Sequence, residues 1–277
     1  MMKQAFLFLV FVVVVSSCGP GSEATKPPVA TVETKEMVFR RGHQFFLEQQ
    51  YDSAAVLLGR ASAMDGGYVA PLVDLGEMYY LIGMRDGGDK QPKFVEAFGK
   101  SLRYLARAEA LGSKESLVLE RLCELANIME DDSAFIRYAS KNAKLFPYDR
   151  QYFNLGFACF KIGDYQGAIS TQKEAVQKFE HSPYIGSFYR QLGRAYMKVD
   201  RDQTAERTFV AGVQKVDSAI ANLKKSGDYK SSEAYRRLLD DKIGMLTSLR
   251  SLHQTYRAMD KLERVEQQLK EANEERR

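Results

Sequence analysis

Tyr152-Phe153-Asn154-Leu155-Gly156-Phe157-Ala158-Cys159-Phe160-Lys161-Ile162-Gly163-Asp164-Tyr165-Gln166-Gly167-Ala168-Ile169, closing a few residues later with Glu174-Ala175-Val176, decides how this chain folds. Leu155-Gly156 belongs to a first helix, Gly163-Asp164-Tyr165 makes a turn, and Ala168 and Ala175 lie two helical turns apart on a second. Small residues at Gly156, Ala168 and Ala175 let two helices, and the next pair, approach closely. The larger Tyr152, Leu155 and Ile169 fill the space between layers. Such a unit buries its apolar face only against neighbours of the same kind, so the reading stands or falls on recurrence.

The spacing of twelve and then seven residues recurs at Gly42, Ala54 and Ala61, with Tyr51-Asp52 at the turn. It recurs at Gly193, Ala205 and Gly212, accompanied by Tyr189, Leu192, Tyr196 and Phe209, and with weaker residues at His253, Val265 and Ala272, beside Leu252, Tyr256 and Leu269. Gly76, with Leu75 and Tyr79, begins another unit whose second helix resumes at Ser101 and Ala108. That interval is twenty-five residues instead of twelve. The surplus, near Met84 to Glu96, carries Gly87-Gly88 and Pro92 and reads as an inserted loop. A degenerate unit between these has Cys123 in its first helix, Ile136 to Ala143 in its second, and Pro147 after its end.

These units resemble the tetratricopeptide repeat (TPR), a helix-turn-helix of about 34 residues. The resemblance covers most of residues 36–277 and implies an all-α, right-handed α-solenoid of about six repeats. A stretch near Val216 to Lys242 lengthens the helices around Gly227-Asp228. The run Lys261 to Arg277, dense in both charges, suits a solvated capping helix, so capping helices are expected near 217–277.

The other informative stretch is Met1 to Cys18. Lys3 precedes the apolar run Ala5 to Val15, and Val15-Ser16-Ser17-Cys18 follows. Eleven apolar residues fall short of the ~20 that span a bilayer, and the order of charge, apolar run and small residues is that of a secretory signal. An aliphatic residue and two small ones before Cys resemble the lipobox of bacterial lipoproteins. That resemblance implies that residues 1–17 are removed and that Cys18 is lipidated. Gly19 in place of Asp then points to the outer membrane, by resemblance to the sorting rule of enteric bacteria. Residues 18–35 contain Gly-Pro-Gly-Ser and Pro27-Pro28 with no aromatic side chain, and read as a tether.

The net charge is +4, from 40 basic and 36 acidic residues that are interspersed, so no basic block of the kind that binds nucleic acid is present. Cys123 and Cys159 fall on apolar helix faces and are expected as buried small hydrophobes, with a disulfide as the alternative. His43, His181 and His253 lie far apart and no Cys-x-x-Cys occurs, so no metal or cofactor site is expected. Glu130-Asp131-Asp132 falls between two helices and reads as a cap. No catalytic constellation emerges, and an enzyme is not expected.

In solenoids of this kind the first helices line the concave face. Residues three before, one after and four after the central small residue share that face. These are Phe39, His43 and Phe46 in the first repeat, and Val73, Glu77 and Tyr80 in the second. The fourth repeat gives Phe153, Phe157 and Phe160, with Lys161 beside them. The fifth gives Arg190, Arg194 and Met197, with Lys198, and the last gives Arg250, Gln254 and Arg257. The expected groove is aromatic in its first and middle parts and basic toward its end, suited to a peptide or helix with apolar anchors and an acidic end. Two readings stay open: the aromatics face a partner, or the superhelix and its long C-terminal helices cover them. Phe153 and Phe157 stand where chaperone-binding TPR domains place parts of a Lys/Asn carboxylate clamp, which argues against that clamp.

The functional expectation is a non-enzymatic, lipid-anchored scaffold on the periplasmic face of the outer membrane, binding other proteins in its groove. Pilotins of pilus secretins and accessory lipoproteins of β-barrel assembly resemble such a protein. An adaptor for cell-wall hydrolases is the alternative. A glycan-binding lipoprotein is a third, disfavoured by the absence of Trp.

Overall fold

The computed structural model describes residues 33–85, 92–225, 227 and 229–276. Cys18, the lipobox and most of the tether lie outside the described residues. Within them the chain forms twelve α-helices and no strand.

The helices fall into six consecutive pairs. The first is α1 (Lys35–Leu47) with α2 (Tyr51–Met64), and the second α3 (Val69–Arg85) with α4 (Pro92–Ala110). Next come α5 (Ser116–Ile128) with α6 (Asp132–Leu145), and α7 (Asp149–Lys161) with α8 (Tyr165–Lys178). The last two are α9 (Ile185–Lys198) with α10 (Asp202–Lys224), and α11 (Glu233–Thr255) with α12 (Met259–Arg276). Every residue assigned by spacing to a close approach (Gly42, Ala54, Ala61, Gly156, Ala168, Ala175, Gly193, Ala205, Gly212, His253, Val265 and Ala272) is buried. The apolar core runs along the array in three clusters. The largest extends from Cys159 to Ala272 around the fully enclosed Phe188 and Phe209.

Polar side chains start two of the second helices, α6 and α8, as donors at helix N-termini require. Asp131 Oδ1 accepts from the Ala134 amide at 2.9 Å, and Asp164 Oδ1 accepts from the Gly167 amide at 2.8 Å. The Glu130-Asp131-Asp132 run is therefore a cap, as its position suggested. Cys123 and Cys159 are buried and unpaired, and burial pushes the Cys123 thiol up to about 12.

The second repeat departs from expectation. Met84 and Arg85 complete α3, and Pro92 to Glu96 belong to α4, so both ends of the expected loop are helix, and its middle, with Gly87-Gly88, lies outside the described residues. Pro92 is the first helical residue, where its fixed φ favours helix and its missing N–H costs nothing. The longer helices stay in contact because the Phe98 ring fills the space that a Cβ at Gly83 would need. Lower down, Ser101 Oγ donates to the Gly76 carbonyl at 2.7 Å. The added stretch near Val216 to Lys242 lengthens both helices that flank it, as expected: α10 and α11 each run 23 residues. In α12, Leu262, Val265, Leu269 and Ala272 pack inward while the charged residues stay outside, as a cap on a solenoid end requires.

Candidate interaction groove

First helices of successive repeats touch one another: α1 with α3, α3 with α5, α7 with α9, and α9 with α11. The first-helix side is therefore the inside of the curve. α5 and α7 do not pack closely in this way, and a recess of about 270 Å³ opens between them. Phe153, Asn154 and Phe157 of α7 form one wall, Cys123, Glu124 and Asn127 of α5 the other, and Phe135 of α6 joins them. Arg190, Gln191 and Arg194 of α9 complete it. A larger, shallower depression of about 880 Å³ continues from it toward α11, sharing Glu124, Phe153, Asn154 and Arg190.

The aromatic part is ordered by ring contacts. Phe153 and Phe157 stack at 6.4 Å between centroids, Phe135 meets Phe157 edge-on at 5.9 Å, and Tyr184 lies 5.3 Å from Phe153. Phe160 turns away. It packs edge-on against Tyr165 at 5.4 Å, and the Arg194 guanidinium covers it at 4.9 Å. Lys161 closes the far end, donating to Asn127 Oδ1 at 3.2 Å and pairing with Asp132 Oδ1 at 2.8 Å.

The floor on the α9 side is fixed from beneath. Gly156 has no side chain, and the buried Gln172 of α8 occupies the space where its Cβ would be. Gln172 Nε2 donates to Gln191 Oε1 at 2.6 Å. In this arrangement the Gln191 carbonyl oxygen is taken and its NH2 is left for the recess, while Gln172 Oε1 stays buried without a partner among the described residues. Arg190 is held by Asp241 of α11, only 2% exposed, through an ion pair at 3.1 Å. Ser187 Oγ donates to the other oxygen of Asp241 at 2.5 Å. Burial pushes the Asp241 carboxyl above its usual range, and Arg190 and Ser187 only partly oppose that rise. Arg194 has no carboxylate partner among the described residues. Burial and the neighbouring Arg190 charge lower its pKa.

The remaining residues singled out from the sequence lie elsewhere. Tyr80 is a correction to the expected open face. It is 8% exposed, lies 4.3 Å beneath the Arg121 guanidinium, and is pushed up to about 12 by burial. Phe39, His43 and Phe46 form a separate half-buried cluster at the first repeat. Phe39 packs edge-on against Tyr68 at 5.4 Å, His43 Nδ1 lies 2.7 Å from Asp74 Oδ2, and Phe46 lies 6.4 Å from Tyr51. Val73 joins the core and Met197 packs against it. Lys198, Arg250 and Gln254 are exposed, and Arg257 sits in the turn after α11 instead of on the helix.

The sequence reading missed the charge network on α5. Arg121 makes two hydrogen bonds to Glu77 at 2.7 and 2.8 Å and one to Glu124 at 2.8 Å. Arg150 reaches Glu124 at 2.5 Å, and Gln151 donates to Glu120 at 2.8 Å. Counting from Cys123 as the small residue would have given Glu120, Glu124 and Asn127. Counting two places before each small residue would have added Arg121, Asn154 and Gln191.

No protein-family model matches this chain, and no curated protein matches it. Solved structures do. The MamA protein superposes with a TM-score of 0.55 at 18% identity, over 67% of this chain and 93% of its own. YrrB, described as a TPR protein with an unusual peptide-binding site, superposes with a TM-score of 0.56 at 11% identity, over 66% of this chain and 87% of its own. At these identities the likeness concerns the fold: the chain is an all-helical, TPR-like solenoid.

Proposed function

We propose that this protein is a non-enzymatic scaffold, anchored by lipid on Cys18 to the periplasmic face of the outer membrane, that binds partner proteins during assembly of an envelope complex. The observation that carries the binding half is the recess between α5 and α7, where stacked Phe153 and Phe157 meet Arg190 and Arg194 at a break in first-helix packing. Aromatic and Arg side chains around a concave recess are what peptide anchors use. YrrB lends support as a protein of like fold with a peptide-binding site. The anchoring half rests on Val15-Ser16-Ser17-Cys18. No helix among the described residues is long and apolar enough to cross a membrane, so a membrane attachment would fall to the N-terminal segment.

Crosslinking in native membranes tests both halves. The wild-type chain is expected to capture a discrete envelope protein, and a folded Phe153→Ala/Phe157→Ala variant to lose it. A Cys18→Ser variant is expected to leave the membrane fraction while its groove still binds. Equal capture by the double variant would assign these rings to packing alone.

A further inference from the structure

The α5–α7–α9 recess carries more than an apolar wall, because its charges do not balance. Glu124 is already shared by Arg121 and Arg150. In the adjoining depression Asp241 holds Arg190, Glu233 pairs with Arg237, and Asp240 pairs with Arg276 at 3.0 Å. Every carboxylate lining the two depressions therefore has a cation. Two cations have no carboxylate among the described residues: Arg194 in the recess, and Arg236 in the depression, which reaches only the Ser231 carbonyl at 3.3 Å.

Next to Arg194 stands a polar donor with nothing to donate to. Gln191 is 6% exposed, its oxygen is taken by Gln172, and its Nε2 has no acceptor among the described residues. That amide edge opens on the recess, where an acceptor on an incoming chain can reach it. Arg194 points the same way. Exposed at the recess, its guanidinium lies over the Phe160 ring at 4.9 Å with the like charge of Arg190 nearby, an arrangement that favours an incoming anion.

Resting on the groove reading above, we propose that the recess binds an acidic side chain adjoining a large apolar one, from the interior of an extended partner segment. The carboxylate meets Arg194 and the Gln191 amide, and the apolar side chain lies on Phe153 and Phe157. Arg236 meets a second acidic residue further along the same segment. An internal carboxylate is favoured over a chain terminus because the recess does not end. It runs into the larger depression through Phe153, Asn154 and Arg190, so a bound chain passes on toward α11. Arg194 and Gln191 set which segments bind, and the rings set how tightly.

The test uses the full chain in detergent and four fluorescent peptides of fourteen residues sharing one central Phe. Three have blocked ends and carry Glu, Gln or Lys on either side of the Phe, and the fourth carries Gln and a free C-terminal carboxylate. The Glu peptide is expected to bind at least about tenfold more tightly than the Gln peptide, the Lys peptide not at all, and the preference to weaken with salt. Arg194→Gln is expected to abolish the Glu-over-Gln preference while retaining the weak binding of the Gln peptide. Phe153→Ala/Phe157→Ala is expected to remove both.

Equal binding of Glu and Gln peptides, lost in the Phe variant, would overturn the acidic partner and leave the groove standing. Preference for the free-carboxylate peptide would overturn the internal segment. Binding of every peptide unaffected by any of these variants would overturn the groove and this inference together.

Discussion

The second and fourth repeats both carry aromatic side chains on the inner face, and the two faces end differently. On α3, Tyr80 is sealed beneath Arg121, which Glu77 and Glu124 hold in place, and α3 packs directly on α5. On α7, Phe153 and Phe157 face a gap, because α5 and α7 part and α9 offers Arg194 without a carboxylate. Aromatic side chains of the inner face thus become core or surface according to what the neighbouring first helix brings. A carboxylate on α3 reaching a guanidinium on α5 closes the face, and no equivalent pair spans α7 and α9. Whether an aromatic in a repeat array serves packing or binding is decided one repeat away.

The largest test of that contrast is truncation. Tyr80→Ala removes a ring enclosed by Arg121 and Phe98 and is expected to cost about 3 kcal/mol or more. Phe157→Ala removes a ring with one open side and is expected to cost about half as much. Urea titration of both variants measures the difference, and equal losses would mean that the α7 rings are as enclosed as Tyr80. Next in size is Glu77→Ala. It strips Arg121 of its two-pronged partner while Glu124 remains, for an expected loss of about 2 kcal/mol. A loss near zero would show that the seal over Tyr80 is apolar packing by the arginine stem.

A subtler contrast concerns Asp241, which fixes Arg190 from beneath the open face. Its folded-state pKa lies above the unfolded value because burial outweighs the pull of Arg190, Ser187 and Arg237. On acidification the folded protein therefore takes up this proton before the unfolded chain does. The stability this contributes is fully present below the unfolded value, near 3.8, and is lost as pH rises through the raised one. Against an Asp241→Asn variant, the wild type is expected to gain relative stability as pH falls from 7 toward 4. A relative loss over that range would mean that the Arg190 pair dominates burial.

The solenoid was legible because its rule is local. Gly42, Ala54 and Ala61 are linked by spacing alone, and each is buried as that spacing requires. The second repeat misled because Gly87-Gly88 and Pro92 carry a turn signal without its extent, and Pro92 starts a helix as readily as it ends one. The inner face was harder, since its outcome depends on pairs far apart in sequence. Glu77 meets Arg121, and Gln172 slips into the gap at Gly156 to reach Gln191. Reading each repeat by itself gave the right register for Phe153 and Arg194 and the wrong surroundings for Tyr80 and Phe160. It gave nothing for the degenerate repeat, whose charged residues proved to be the seal.

The smallest expected change in stability belongs to the residue that matters most to the open side. Arg194 lies on the array with no ion pair among the described residues, and desolvation and the Arg190 charge both disfavour its charged form. Its guanidinium lies over the Phe160 ring, 4.9 Å away. Arg194→Ala is therefore expected to leave the urea midpoint unchanged or slightly raised, the reverse of Glu77→Ala, although both residues sit on the inner face. Charges kept at no benefit to the fold are the ones a binding surface retains, because the cost is recovered only when a ligand arrives. A clear fall in midpoint for Arg194→Ala would put this arginine among the packing residues and erase the contrast between the sealed and open halves of the groove.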